Sequence, residues 1–474
     1  MILASDSLEG REVGTRGEVL AADYISNYFK KIEIPPYKDS TYYQEFDLGS
    51  RKFQLAKIKI GHKRYFWGQN FYSYPKFGNT KITSNEVVFL GYGIESEKHN
   101  DYNVDVQNKI LVLLDGEPVN KDGDFLVSGT KKASSKSHYK EKLKTAKKRG
   151  AKAVLIIKEN LKKEYKSSRR HVNSPGVFLV DKKDPIPFFF IDKKMAQDLL
   201  STKSIDGLKN SISQTESPIT QYHKKHISIE SQTQDSFFVG KNILGFVEGS
   251  DPELKNEIIV ITAHYDHIGV INGLIHNGAD DNATGTAALL EVAEAFQGAK
   301  KTGYKFKRSV LFFANSAEEK GLLGSYYYVE NPQFPLENTI TCLNVDMVGR
   351  MDKNHPQDSN YVYLIGSNKL STELHNISEK TNSQHVKMNL DYTFNDPNDP
   401  NRFYYRSDHY NFAKKRIPSI FYFSGVHDDY HMNTDTHEKI VYEKVEKTAR
   451  LIFYTAWSLA NATNRPTVDK ENNF

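Results

Sequence analysis

Four apolar runs and one glycine-bounded turn of this sequence lead straight into residues that bind metal ions or move protons. IIVIT is followed by His264-Tyr265-Asp266, SVLFFANSA by Glu318-Glu319, and TITCLNV by Asp346. SIFYFSG runs into a loop holding His427, Asp428, Asp429, His431 and Asp435, too polar for ordinary core. HNGADDNATG sets Asp280 and Asp281 in a turn before a helical pattern, where Asn282 or Thr284 can cap the helix. In extended chain, positions i and i+2 share a face, so His264 can bind a metal while Asp266 supports it from behind. Adjacent carboxylates such as Glu318 and Glu319 beside an apolar strand repel unless a proton or a cation compensates. Two metal ions supply that compensation, and an aspartate in the turn that holds Asp280 and Asp281 can bridge them. Imidazole and carboxylate ligands suit zinc, with cobalt or manganese also accepted by such a set. A single histidine after a strand usually just meets a backbone carbonyl. Five such positions at successive strand ends, with no rival nucleophile motif, resist that plain explanation.

The elements that must carry these residues alternate. From residue 240 onward, strand patterns (IIVITAHYD, SVLFFANSA, TITCLNVDM, SIFYFSG) alternate with helical ones (TGTAALLEVAEAF, DHYNFAKK), the pattern of an α/β domain with a largely parallel sheet. YEKVEKTARLIFYTAWSLANA reads as a closing helix. Near the N-terminus, residues 17–31 place Val19, Leu20, Tyr24, Ile25 and Phe29 on one helical face. Residues 43–95 read as strands divided by turns, KILVLLDG as a buried strand, and KLKTAKKRGAKAVLIIKE as a helix, a glycine stop and another buried strand. The end of this β-rich part is placed in the polar stretch 201–235.

At 474 residues the chain exceeds the usual size of one core, so two structural units are expected. A net charge of +5 is small for this length and calls for no nucleic-acid partner. Between 131 and 170, sixteen Lys/Arg accompany three Glu, and their interleaving with helix and strand positions reads as a solvated face. The one cysteine, Cys342, forms no intramolecular disulfide, and no segment approaches transmembrane length, so no stable membrane insertion is expected. Met1 opens directly on an apolar stretch, which suggests a signal segment outside this sequence and a periplasmic, secreted or surface location.

The order HxD, GADDNATG, AEE, NVDM and SDH followed by HxxTDT resembles the M28 family of zinc aminopeptidases and carboxypeptidases. The resemblance is dense from about 240 to 440. The β-rich middle resembles the protease-associated (PA) domain inserted in many members, and SLEGREVGTRGEVLAADYI resembles their N-terminal helix region. It implies a zinc-exopeptidase, hydrolase-like mixed sheet flanked by helices, with residues 1–65 and 215–474 forming the peptidase domain and 66–214 the inserted domain. That insert is expected to shape access to the cleft and to supply no ligand. Carried onto this chain, the resemblance makes His264 and Asp346 ligands of one zinc, Glu319 and His431 ligands of the other, and Asp281 the bridge. It makes Glu318 the general base and Asp266 the residue that orients His264. Asp408 and His409 support the site, Tyr404 stands where some relatives use a tyrosine on the oxyanion, and the Asp281–Asn282 bond is expected to be cis. His267, His276, His427 and His437 receive no role and read as loop or surface histidines. Arg402 and Arg406 read as members of structural ion pairs, with a substrate carboxylate as the alternative.

The activity so implied is the release of N-terminal residues from peptides, with Glu318 taking a proton from a metal-activated water and returning it to the leaving amine. A carboxypeptidase or dipeptidase of the same fold is the main alternative, because the pocket alone decides which end is read. A glutaminyl cyclase would need one zinc, and a receptor-like protein would need no complete ligand set with an intact Glu318. Nothing in the sequence bears on the oligomeric state.

Overall fold

A computed structural model describes residues 1–37 and 41–471. The chain divides into two compact units, the first built from Met1–Asp47 and Phe238–Phe474, the second from Leu48–Phe237. Residues 66–214 lie wholly inside the second unit.

In the first unit, strands Ile258–His264, Ser309–Asn315, Thr339–Val345 and Ser419–Phe423 run parallel. Their sheet order is Ser419–Phe423, Thr339–Val345, Ile258–His264, Ser309–Asn315. Tyr361–Ile365 adds antiparallel beyond Ser419–Phe423, and residues 243–247 of Thr220–Val247 add antiparallel beyond Ser309–Asn315. The register pairs Ile258 with Ser309 and His264 with Asn315, so the parallel strands end level with one another. Loops leaving those ends therefore meet on one edge of the sheet, the place where such sheets bind ligands.

Strand pleating sorts the apolar residues onto two faces. Ile259, Ile261, Ala263, Val310, Phe312 and Ala314 pack under helices Arg16–Lys31, Gly285–Lys301 and Tyr442–Asn461. Ile258, Val260, Leu311 and Phe313 pack on the opposite face, against Tyr328 of Leu323–Glu330 and Phe412 of His409–Lys414. Both faces are covered, which explains why these strands read as continuous apolar runs. In helix Arg16–Lys31 the buried stripe is Ala21, Ala22, Ile25 and Phe29, while Val19 is exposed. Val19 lies roughly 160° around the helix from Ala21, so the stripe that seats Ile25 and Phe29 leaves it out.

The second unit has its own core. Strands Thr80–Leu90, Ile110–Leu114, Ala153–Ile157 and Phe188–Ile191 pair in parallel, with Phe71–Tyr72 antiparallel at the end. Helices Tyr139–Lys148, Leu161–Asn173, Lys193–Leu200 and Ile205–Thr215 accompany them. The polar stretch 201–235 holds the last of these helices and opens strand Thr220–Val247. Most lysines of the basic stretch are exposed, as on a solvated face. Lys136 and Lys158 are half-buried, and Lys142 departs furthest. It is buried, its ammonium donates to the carbonyls of Tyr92 (2.7 Å) and Leu114 (2.8 Å), and burial lowers its pKa to about 7. Among the described residues no helix is long and apolar enough to cross a membrane.

The packing of the first unit centres on Phe296, whose ring lies 5.3 Å from Phe306, 5.1 Å from Phe453 and 5.6 Å from Trp457. Phe296→Ala should destabilise the protein by about 3–5 kcal/mol, since the emptied space is walled by rings that cannot collapse into it. Urea unfolding checks this, and a loss below 1 kcal/mol would mean that the site does relax.

Candidate metal centre

Strand Ile258–His264 delivers His264 at its last residue, buried, with Nε2 3.5 Å from Asp281 Oδ1 and 3.4 Å from Asp346 Oδ1. Asp281 comes from the turn Ala279–Thr284, and its other oxygen stands 3.1 Å from His431 Nε2. His431 Nε2 is also 3.4 Å from Glu319 Oε2. Asp281 thus faces both groups, with one oxygen toward His264 and Asp346 and the other toward His431 and Glu319. The Asp281–Asn282 peptide is cis, as the resemblance implies.

The spacing tests whether metal ions fit. Tetrahedral zinc with bonds of about 2.0–2.2 Å places its donor atoms about 3.3–3.6 Å apart. The His264, Asp281 and Asp346 separations fall in that range, and the His431 separations lie at or just below it. All but the 3.1 Å His431–Asp281 separation are longer than ordinary hydrogen bonds. Asp346 Oδ1 is buried without any hydrogen-bond partner, as a donor reserved for a cation would be. The residues present therefore fit a two-ion centre.

Burial and mutual repulsion set the electrostatics. Glu318 is pushed well above the carboxylate range by burial, with His264 opposing and Glu319, Asp408 and Asp346 adding to the rise. Burial and then Glu319 raise Asp281, against the pull of its histidines. Glu319 is held well below its ordinary value because bonds to His267 and His431 outweigh burial. Burial would lower His264, yet Asp346 and Glu318 hold it well above its ordinary value. Burial likewise disfavours the charged form of His431, but Asp281 and Glu319 bring it to about 10.

A network of hydrogen bonds holds the ligands in place. Asp266 accepts from the backbone N–H groups of Glu318 (3.1 Å) and Glu319 (3.3 Å), so it fixes the strand end that carries both glutamates. Its carboxylate stays 3.7 Å from His264 Nδ1, and the backbone carbonyl of Asp266, at 3.2 Å, is what meets that ring nitrogen. Asp435 accepts from the N–H groups of Asp280 (3.0 Å) and Asp281 (3.2 Å). Ser407 Oγ donates to Asp346 Oδ2 at 2.6 Å and accepts from Asn344 at 2.8 Å. In the SDH motif the serine, rather than Asp408 or His409, touches a candidate ligand. Asp408 accepts from Ser325 at 2.5 Å and is raised to about 6, chiefly by burial, while His409 is buried against Phe421 and lowered to about 3, so it is neutral.

Several expectations need correction. His267 is not a surface residue: it is fully buried, and its Nδ1 lies 2.9 Å from Glu319 Oε1. His267, Asp281 and Glu319 also bring donor atoms within 4.8 Å of one another. Its short contact to Glu319 and its 3.8 Å distance from Asp281 give His267 the geometry of a hydrogen-bond partner, whereas His431 has that of a fellow ligand. The HYDH spacing held the signal, because the ring that follows Asp266 leaves the strand beside His264. His276 and His427 are buried too, with His427 Nε2 3.3 Å from Asp280. Tyr404 is buried and does not line the pocket that contains His264, Asp281, Glu318, Asp346 and His431. The tyrosine lining that pocket is Tyr430, stacked on His431 at 3.9 Å. Arg402 and Arg406 make no ion pair among the described residues: they lie over Tyr405 (4.7 Å) and Phe403 (4.9 Å), and Arg406 lines the pocket.

The fold and the site together define an α/β protein with a carboxylate and imidazole centre fit for two metal ions. Residues 242–456 match the family described as Peptidase family M28, a stretch inside the first unit. The chain is 28% identical over 188 residues to leucine aminopeptidase 2 of Trichophyton equinum, which covers 39% of this chain and 33% of that protein. It is 27% identical over 213 residues to aminopeptidase YwaD of Bacillus subtilis strain 168, covering 44% and 37%. The match therefore spans about a third of the length of these curated relatives. An aminopeptidase from Aneurinibacillus sp. strain AM-1 shares the fold with a TM-score of 0.57 at 19% identity, over 99% of this chain and 94% of that one.

Two outcomes follow from the geometry. A proton held by His431 up to about 10 must leave before a metal enters, so zinc uptake at pH 7 should release protons, and affinity should fall as pH is lowered. Titrating zinc into weakly buffered protein with a pH indicator reads this, and uptake without proton release contradicts it. Glu318→Gln should keep its metal while losing turnover by about 10²–10⁴-fold, because glutamine keeps the shape but takes no proton. Glu319→Gln should lose metal along with rate, and excess zinc should restore part of its activity. Equal metal loss in the two variants would overturn the division of labour.

Proposed function

We propose that this chain is a zinc-dependent exopeptidase that removes N-terminal residues from peptides. The observation that carries this reading is the shared position of Asp281. It faces His264 and Asp346 with one oxygen and His431 and Glu319 with the other, while Glu318 faces the same pocket outside both groups. His264 and Asp346 would hold one zinc ion, Glu319 and His431 the other, and Asp281 both. Bound there, the ions would supply Lewis acidity toward a carbonyl and a water acidified to near neutrality.

The chain's own groups do the rest. Glu318 accepts the proton of the attacking water and returns it to the leaving amine, which suits a buried carboxyl with no ligand duty. Tyr430 lines the pocket, and burial together with Asp281 and Glu319 raises its pKa, so its phenol stays protonated as a donor for negative charge developing on the carbonyl oxygen. Met347, Phe403, Phe421 and Phe423 give the pocket apolar walls that exclude water from the reacting bond and favour an apolar side chain. Residues 66–214 are read as an inserted PA domain, in keeping with the absence of any of these ligands from the second unit.

Arg406 favours a second reading. Its guanidinium lines the pocket and has no carboxylate partner among the described residues, so a substrate carboxylate fits beside it, as a carboxypeptidase or dipeptidase would require. A panel of free peptides, acyl-blocked peptides and C-terminal amides separates the two. Aminopeptidase action should spare acyl-blocked peptides and accept amides, whereas the reverse pattern would establish a carboxypeptidase and refusal of both a dipeptidase. Chelation should abolish turnover, and about two equivalents of zinc should restore it. Turnover that survives complete removal of metal would refute both.

A further inference from the structure

Every candidate ligand lies at or after residue 264, yet three of the ligand-bearing loops are held by side chains from the first eighteen residues. Arg11 is 1% exposed. Its Nε donates to the carbonyl of Tyr265 at 2.7 Å, and its two terminal nitrogens donate to Asn277 (2.6 Å), Gly278 (2.9 Å) and Leu3. Tyr265 is the residue after His264, and Gly278 stands three residues before Asp281. One planar fork thus ties the loop of one candidate ligand to the loop of the bridging one. A lysine, with its single donor centre, cannot span those carbonyls.

The same segment reaches the third loop. Glu12 pairs with Lys320 at 2.6 Å, and Glu18 accepts from Ser316 Oγ at 2.5 Å and from the N–H of Gly14 at 2.6 Å. Ser316 and Lys320 flank the Glu318–Glu319 pair. A buried arginine can serve packing alone, as Arg308 does here: fully buried, it binds Glu257 and the carbonyls of Leu459 and Ala462, none of them beside a candidate ligand. Arg11 differs in what its acceptors are attached to.

We propose that Arg11 is a positioning residue of the metal centre: its guanidinium sets the separation of the His264 and Asp281 loops, and residues 11–18 brace the site as a whole. The proposal rests on reading the cluster as a zinc centre. Arg11 touches neither metal nor substrate and acts through the backbone that carries the ligands. Groups that orient ligands from outside typically govern metal affinity by about 10–100-fold.

The test compares Arg11→Lys, Arg11→Gln, Arg308→Gln and Lys320→Met in the full chain, measuring zinc affinity by chelator competition and the melting temperature of the metal-free protein. Both Arg11 variants should bind zinc about 10–100-fold more weakly, because lysine restores the charge but not the fork. Arg308→Gln should lower the melting temperature and leave zinc affinity unchanged. Wild-type affinity in Arg11→Lys overturns the proposal, as does a loss of affinity in Arg308→Gln that matches Arg11→Gln. Should neither Arg11 variant fold, Lys320→Met, which cuts a partly exposed tie of the same brace, should still weaken zinc binding by about 10-fold without loss of melting temperature. Unchanged affinity there overturns the brace. A wild-type chain that takes up no zinc refutes the metal-centre reading itself and removes this proposal with it.

Discussion

Repulsion among buried carboxylates is the constraint around which the first unit is arranged. Glu318, Glu319, Asp281 and Asp346 converge from three segments, and burial removes the water that would screen them. Such a cluster is stable only where cations answer it. Protonated imidazoles at His264 and His431 answer part without metal, and two metal ions would take the place of those protons. Sequence order, strand register and turn chemistry can all be understood as ways of bringing these groups together against their mutual repulsion.

Holding them there falls to backbone N–H groups and short polar side chains. Asp266 grips the glutamate strand end, Asp435 grips the turn of Asp281, and Ser407 takes the free oxygen of Asp346. Three non-glycine residues beside candidate ligands or at one take left-handed backbone: Ala317 (φ 58°), Met347 (φ 54°) and His431 (φ 59°). Each such residue costs about 1–3 kcal/mol and persists only where surroundings enforce it. For Met347 the enforcing bond is visible, from its N–H to the side chain of Asn282 at 3.1 Å. Asn282 also accepts from Gly285 at 3.0 Å, where a Cβ would come within 2.2 Å of the asparagine oxygen, so only glycine lets that helix start so close.

The second unit buries an independent core of aliphatic and aromatic residues and keeps all candidate ligands out of it. Its basic stretch illustrates how little a run of charges says alone. Most of those lysines are solvated, while Lys142 sits inside with its ammonium capped by two carbonyls, in a helix whose spacing put it on the Leu143 and Ala146 side.

Much of this was legible in the sequence because it is local. Apolar runs of five to seven residues had to be strands covered on both faces, and the residues that follow such runs had to gather at one edge of a parallel sheet, so His264, Asp281, Glu318, Glu319, Asp346 and His431 were all readable as candidates. What the tertiary structure alone decided is which side chains meet across those loops. Tyr430 rather than Tyr404 lines the pocket, Ser407 rather than its two neighbours reaches Asp346, and His267 turns inward to Glu319. Arg11 finds three of its four carbonyls more than 250 residues away. Periodicity specifies the face a residue occupies on its own element. It carries no information about contacts between distant segments, which depend on the path of each loop and on the packing that holds it.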